Sequence, residues 1–374
     1  MKRLVLLGGG HSHIEVLRRF GAHPVGGAEF VLADPSRDFA YSGMLPGWIA
    51  GHYTRADCHV DLESLARFAR CRFVPSACRA LDLDDRVVQC EDGTTLRFDY
   101  LSIDTGAGSP AQDTPGASPH ALPVRPVESF VARWAEIGQR IASGQGPRTI
   151  AMVGAGAAGV EVLLAMQHRL RGLAPAAHIA FHLLGDADTI LTGHNARVRA
   201  IFTRVLEQRG VTVHLGSAVE RVERGRLHLA GGGLLEADAI IWATGASAPS
   251  WPTLSGLAVD DRGFIRVDER LQSISHPCVF AAGDIASIDG HRPPKNGVYA
   301  VRAGPPLAAN LRRALTGQSL APWTPQKRAL ALISTGDRYA VASRGGLALE
   351  GAWVWRWKNR IDRRFIRRYR IPLA

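Results

Sequence analysis

Glycine recurs at two places in this chain with the spacing that lets a backbone approach a phosphate. Residues 3–13 read "RLVLLGGGHSH", an apolar run that ends in Gly8 and Gly10 and then turns helical at Ile14 and Leu17. At such a turn, main-chain N–H groups and the positive end of a helix can face a pyrophosphate. His11 and Ser12 stand in the same loop, and His13 occupies the place of a third glycine. The two histidines could donate protons or hydrogen bonds to a ligand. For His13 the reading preferred here is structural: packing and a backbone hydrogen bond in place of the glycine. The next strand, "EFVLADP", ends in Asp34, an acid placed to bind a pair of ribose hydroxyls. A second, complete copy follows: "IAMVGAGAAGVEVLLAMQHRL" sets Gly154, Gly156 and Gly159 between a strand and a helix. One such loop is a weak signal; two loops and a correctly placed acid predict a chain that holds two dinucleotides.

The rest of the chain must position these loops. It has 374 residues, 46% of them hydrophobic, enough for two or three domains with cores of their own. The formal charge is +11, a surplus that suits an anionic partner. It is concentrated at one end. Residues 351–374 hold seven arginines and Lys358 against Asp362, a net of +7, which leaves +4 for the remainder. Five cysteines (Cys58, Cys71, Cys78, Cys90, Cys278) form no CxxC pair and no metal spacing. An odd count with no signal-peptide pattern suggests reduced thiols in the cytoplasm. No stretch approaches the roughly 18 apolar residues of a membrane span.

Three further segments carry a resemblance. "DYLSIDTGAGSP" (99–110), with Thr105 and Gly106, and "ADAIIWATGASAP" (237–249), with Thr244 and Gly245, resemble the strand-to-turn crossings of the FAD-dependent pyridine nucleotide-disulfide oxidoreductase superfamily. "HPCVFAAGDIAS" (276–287) resembles its last FAD motif, in which Gly283 and Asp284 would reach the ribityl–phosphate region. The resemblance implies an α/β fold of two Rossmann-like domains, with an NAD domain inserted in a split FAD domain. The boundaries it suggests are 1–115 and 247–318 for FAD, 116–246 for NAD(P)H, and 319–374 for a small C-terminal β unit and a basic tail. FAD would be held by the first loop, Asp34 and Asp284, and NAD(P)H by the second loop. The second unit's strand, "HIAFHLLGDAD", ends in Gly185 and Asp186 with no arginine immediately there for a 2′-phosphate, which favours NADH over NADPH.

The acceptor is read from thiols. Disulfide reductases of the superfamily carry a cysteine pair after the first unit, and peroxidases a single cysteine. Here "RDFAYSGMLPGWIAGHY" (37–53) has Ser42 at that place, and a hydroxyl cannot cycle through sulfenic acid or disulfide. Reduced flavin would then pass electrons directly to a diffusible acceptor. That is similar to type II NADH:quinone oxidoreductases, which imply a role for Glu161 near the nicotinamide and flavin. In "RPPKNGVYAVRAG" (292–304) a helix should begin with its N-terminus toward the flavin, and Lys295 could add charge there. The glutamine-rich motif of the quinone enzymes is absent from this segment. The chain also resembles a subfamily found alone or fused to selenide, water dikinase (selenophosphate synthetase), through "LLGGGHSHIEVL", "LISTGDRYAVASRGG" and the tryptophan-rich tail. This implies a second acceptor class, an oxidised selenium or sulfur compound, with that synthetase as a partner. A low-turnover flavin-bound redox sensor is the reading from another class.

The tail, "GAWVWRWKNRIDRRFIRRYR", predicts a helix over 351–370 with Trp353, Trp357, Ile361, Phe365 and Tyr369 in a slowly winding stripe. Tryptophan beside arginine suits an interfacial helix on anionic lipid, on the inner face of the cytoplasmic membrane. The same stripe could equally pack on the chain's own FAD domain or build a dimer. Nucleic acid is not expected, since no other recognition feature accompanies the charge. Residues 320–346 read as short strands around a Gly-Asp turn and a Gly-Gly turn, expected beside the flavin.

Overall fold

Leu4, Val5, Leu6 and Leu7 are almost wholly buried, as a strand covered on both faces requires. The computed structural model describes residues 1–174 and 178–371. The first strand, Lys2–Leu7, lies at the centre of a five-stranded sheet. Its order is Val279–Ala281, Tyr100–Ile103, Lys2–Leu7, Ala28–Ala33, Cys71–Val74, every pairing parallel. The strand at 279–281 enters this sheet only after the chain has built a second one. That sheet runs Leu122–Pro123, Ala239–Trp242, Thr149–Val153, Ala180–Leu184, Val211–His214, again parallel throughout. The two sheets share a plan. In each, the strand before a glycine loop is central, and the order of the chain reverses beside it, where open α/β sheets bind ligands at their carboxyl ends. The segments that link the sheets pair with each other, Gly108 N donating to Ser247 O at 2.9 Å.

Helix α1 (His11–Ala22) leaves the first loop, and α2 (Ala157–Leu173) the second. Helix α3 (Gly297–Thr316) follows the last strand of the first sheet. The Asn296 side chain caps it, accepting from Val298 N at 3.1 Å and Tyr299 N at 3.4 Å. It packs along α1 so closely at Gly304 that a Cβ there would lie 2.8 Å from Glu15 Cβ.

Strands Ala331–Ser334, Ala340–Arg344 and Leu347–Gly351 form an antiparallel unit that turns at Gly336–Asp337 and Gly345–Gly346. Its bonds run to the second sheet's helices. Arg209 pairs with Asp337 at 2.9 Å, Arg204 with Glu350 at 2.8 Å, and a Cβ at Gly336 would overlap the Leu164 carbonyl. The unit is thus seated on α2 and its neighbours.

Helix α4 (Ala352–Tyr369) lies on the first dinucleotide unit, and its packing differs from the stripe read in the sequence. Val354, Lys358, Asp362, Ile366 and Tyr369 face inward, whereas Trp353 is 46%, Trp357 37% and Ile361 41% exposed. A repeat of four residues drifts about 40° per step on a helix. The stripe therefore begins in solvent and ends in the core, where Phe365 stacks on Tyr41 with centroids 4.1 Å apart.

Candidate functional site

The first loop is narrow because the chain returns beneath it after Tyr100–Ile103. Gly8 has φ 85°, and a Cβ there would lie 2.5 Å from the Asp104 carbonyl oxygen. At Gly10 it would lie 2.6 Å from Asp104 Oδ2. Gly9 N donates to Asp34 Oδ2 at 2.6 Å and Ser36 N to Asp34 Oδ1 at 2.7 Å, which fixes the acid at the mouth of the loop. Ser12 Oγ donates to Ala300 O at 2.8 Å and ties α1 to α3. His13 is wholly buried, with Nδ1 2.5 Å from Gly8 O and Nε2 2.8 Å from Ser102 Oγ. Both ring nitrogens are spent on the scaffold. At the matching place in the second loop, a Cβ on Gly159 would overlap the Gly154 carbonyl. The imidazole thus bridges a gap that the glycine closes by contact.

His11 points the other way. Its ring meets Phe39 edge-on at 4.8 Å and Tyr41 at 5.9 Å, and its Nε2 is buried without a partner. A Cβ built on Gly297 would lie 3.3 Å from His11 Nε2 and 3.5 Å from Ser42 Oγ. An imidazole, a hydroxyl and the N-terminus of α3 therefore converge. Burial, with Arg125 adding to it, pushes the His11 pKa down to about 4. Burial likewise takes His13 to about 4, against its bond to Gly8. Both rings are neutral at physiological pH.

Asp284, on the turn Gly283–Ile285, accepts from Arg125 Nη1 at 2.9 Å. Lys295 was expected to charge the start of α3. Its amine instead donates to the Ala286 carbonyl and lies 4.0 Å from the Phe264 ring centroid. Burial lowers its pKa to about 8, with Asp284 and Asp260 opposing.

In the second loop Gly154 has φ 116°, and a Cβ would lie 2.7 Å from the Ala243 carbonyl. Over Gly156 and Gly245 there is open space, as there is over Gly106 after Thr105 in the first crossing. Thr244 Oγ1 is buried without a partner. Gly185 follows its strand as Asp34 follows Ala33, and Ala155 crowds it to 2.8 Å, so the second unit has no room for an acid there. Two orphaned polar atoms, His11 Nε2 and Thr244 Oγ1, and the open glycines suit two dinucleotides.

Glu161 sits on the first turns of α2, not on a free helix surface. Its Oε1 accepts from Ser334 N at 2.7 Å and Ser334 Oγ at 2.8 Å. Burial raises its pKa, with Lys358 opposing. Lys358 and Asp362, read in the sequence only as members of a charged tail, are both buried. Lys358 Nζ donates to Asp362 Oδ2 at 2.7 Å and to Gly43 O at 2.6 Å, one residue beyond Ser42. Burial works against this charge, yet Asp362 and Glu161 hold the lysine pKa above its ordinary value. A Glu161–Lys358–Asp362 run of charge thus lies behind the Ser42 turn. The pair at i and i+4 was the available signal, but such pairs usually lie in solvent.

No disulfide joins the cysteines. The Cys58 carbonyl accepts from Tyr41 N, in the wall of the site, at 2.9 Å. Burial pushes the Cys58 thiol up to about 12, and Cys78 to about 11. Among the described residues no helix is long and apolar enough to cross a membrane, and no three His, Cys, Asp or Glu side chains cluster as metal ligands.

A family model described as pyridine nucleotide-disulphide oxidoreductase matches residues 2–304. Among curated proteins, a NADH dehydrogenase-like protein of Mycobacterium tuberculosis is 28% identical over 62% of this chain, and the match spans 59% of that protein's length. An alternative NAD(P)H-ubiquinone oxidoreductase of Arabidopsis thaliana is 25% identical over 93% of this chain and 75% of its own. The solved sulfide:quinone oxidoreductase of Aquifex aeolicus superposes with a TM-score of 0.83 at 16% identity, over 99% of this chain and 92% of that one.

Proposed function

The chain belongs to the pyridine nucleotide-disulphide oxidoreductase family, and from that premise we propose that it oxidises NAD(P)H through bound FAD and delivers the electrons directly to a quinone. The observation that carries this reading is the convergence of His11, Ser42 and the α3 N-terminus with a hydroxyl where a relay would need a thiol. The thiol of Cys58, whose carbonyl bonds Tyr41, is protonated at any physiological pH, and only a thiolate is an effective nucleophile. The plant relative, named as an NAD(P)H-ubiquinone oxidoreductase, agrees with the acceptor.

FAD, when bound, supplies a ring that accepts hydride from the nicotinamide. The protein's part is placement. Gly8, Gly10, Asp34 and Asp284 would hold FAD, with Thr105 and Gly106 at its crossing. Gly154, Gly156 and Gly159 would hold NAD(P)H, with Thr244 and Gly245 opposite. Neutral His11 offers its free Nε2 toward the flavin site without adding charge. The positive end of α3, not Lys295, would favour negative charge on the pyrimidine side. Lys358 holds the Ser42 turn through the Gly43 carbonyl, and Glu161 keeps a carboxyl close behind it. The solvent-facing Trp353, Trp357 and Ile361, set among arginines, suit attachment to an anionic bilayer, where a quinone would reside.

The purified protein should show a flavin spectrum that anaerobic NADH bleaches. A soluble quinone should sustain turnover, and a variant with all five cysteines replaced by serine should keep it. Turnover with selenite or a selenotrisulfide but not with quinone would move the acceptor to selenium chemistry. Bleaching without turnover on either would make the protein a sensor. Loss of activity in the cysteine-free variant with flavin retained would end the direct-transfer scheme.

A further inference from the structure

Two loops of one chain, built on one plan, differ in the residue that lies beneath them. Asp104 N donates to Leu7 O at 2.8 Å beneath the first loop, and Ala243 N to Val153 O at 2.8 Å beneath the second. Gly8 is crowded by the Asp104 carbonyl as Gly154 is by that of Ala243. The two residues are counterparts. Ala243 has no polar side chain, and no side chain of the loop caps α2. Asp104 is 3% exposed, and its Oδ2 accepts from Ser12 N at 2.7 Å and His13 N at 3.0 Å. These are the second and third N–H groups of α1, the groups such a loop offers to a diphosphate. Glycines enclose the carboxyl: Gly10 stands beside Oδ2, and a Cβ on Gly283 would overlap Oδ1.

An ionised Asp104 and a diphosphate would place like charges on one helix end in a buried loop. The surroundings give the anion little relief. Asp34, at the end of the second strand, and Asp284, beside the last, both face it with negative charge. Arg125 is already paired with Asp284, and His11 and His13 on α1 are neutral. Burial, then Asp284 and Asp34, raise the Asp104 pKa well above the carboxylate range, against the two α1 N–H bonds.

We propose that Asp104 shares the first loop with the diphosphate of FAD as a neutral carboxylic acid, so that wherever the empty loop holds Asp104 ionised, FAD binds with uptake of one proton from solvent at Asp104. The acid still accepts from Ser12 and His13 and has a proton to give to a phosphate oxygen; no electrons move. This deepens the FAD assignment above and rests on it. Asp104 is a positioning residue that makes cofactor retention depend on pH, a property the second loop lacks.

The test is FAD affinity of the flavin-stripped full-length protein, followed by flavin fluorescence between about pH 6 and pH 9. Wild type should bind most tightly at the acid end and weaken by up to about tenfold per pH unit above the Asp104 pKa of the empty loop. Asp104→Asn should be flat across the range and tighter than wild type at the alkaline end. Asp104→Ala, which copies Ala243, should also be flat, and its FAD-free form should melt lower for want of the cap. A flat wild type overturns the proposal, as does a slope that survives in both variants and so belongs to another group such as Asp34. FAD bound equally by all three proteins overturns this inference alone. Failure of all three to bind FAD at any pH overturns the FAD reading and this inference with it.

Discussion

Single side chains in this protein settle matters that their types do not announce. His11 and His13 both stand on the first turn of α1, yet His13 is bonded through both nitrogens and His11 presents a bare Nε2. Both are neutral in the fold, with pKa values near 4 against an ordinary 6.5. The folded state therefore binds fewer protons than the unfolded chain between these values. Stability is present in full above about pH 6.5 and falls as pH drops toward 4, each ring accounting for up to about 3 kcal/mol. A melting-temperature profile should show this loss, and His13→Asn should flatten part of it. Glu15 adds a second acid-labile contact lower down. Burial opposes its charge, but Arg18 and Arg19 hold its pKa to about 2, and Tyr369 Oη donates to it at 3.0 Å. Lys358 is a further case. Lys358→Met would leave Asp362 buried and uncompensated, at a cost of about 3–5 kcal/mol. A Lys358→Met, Asp362→Leu double variant should recover most of that in denaturant unfolding. A double variant no more stable than the single would show that the packing of Gly43 and Ser42, not charge, sets the cost.

At the scale of elements, the glycine loops were legible because their geometry is local. A strand, a positive φ and a helix start are properties of ten consecutive residues. Gly159→Ala should abolish saturable reduction by NADH, because its Cβ has no space beside the Gly154 carbonyl; flavin content should be unchanged. Helix α4 was legible as a helix but not as a packed one. Its inner stripe includes Lys358 and Asp362, which any hydropathy reading assigns to solvent, while Trp353 and Trp357 stack on each other outside, 6.4 Å apart. Trp353→Ser with Trp357→Ser should leave melting temperature and soluble-quinone turnover unchanged. Flotation with anionic liposomes should fall about tenfold or more and weaken with salt. Retained flotation would place the lipid contact elsewhere. Helix α3 continues through Pro305 and Pro306 to Thr316. Its packing along α1 holds it together across two missing N–H donors.

For the molecule as a whole, the folded chain should be stabilised by its cofactor, since a ligand bound only by the native state adds about 2.7 kcal/mol at a hundredfold excess over Kd. The measurable consequence is a melting temperature that rises with added FAD in stripped protein; an unchanged one would argue against a cradle formed at Gly8, Gly10 and Asp34. The sequence by itself determined the two-sheet plan, because the order of five short motifs along the chain constrains connectivity, and parallel strands need crossovers of a fixed kind. It also carried the expectation that Ser42 stands at the place where disulfide reductases of the superfamily keep a cysteine. Only the tertiary structure decided what lies beneath the loops and behind the Ser42 turn. Asp104 reaches α1 from 92 residues away, Glu161 meets Ser334 across 173, and Lys358 meets Gly43 across 315. The pKa of a buried acid and the inward face of a charged helix depend on which distant groups replace water around them, and no local pattern in the chain encodes those neighbours.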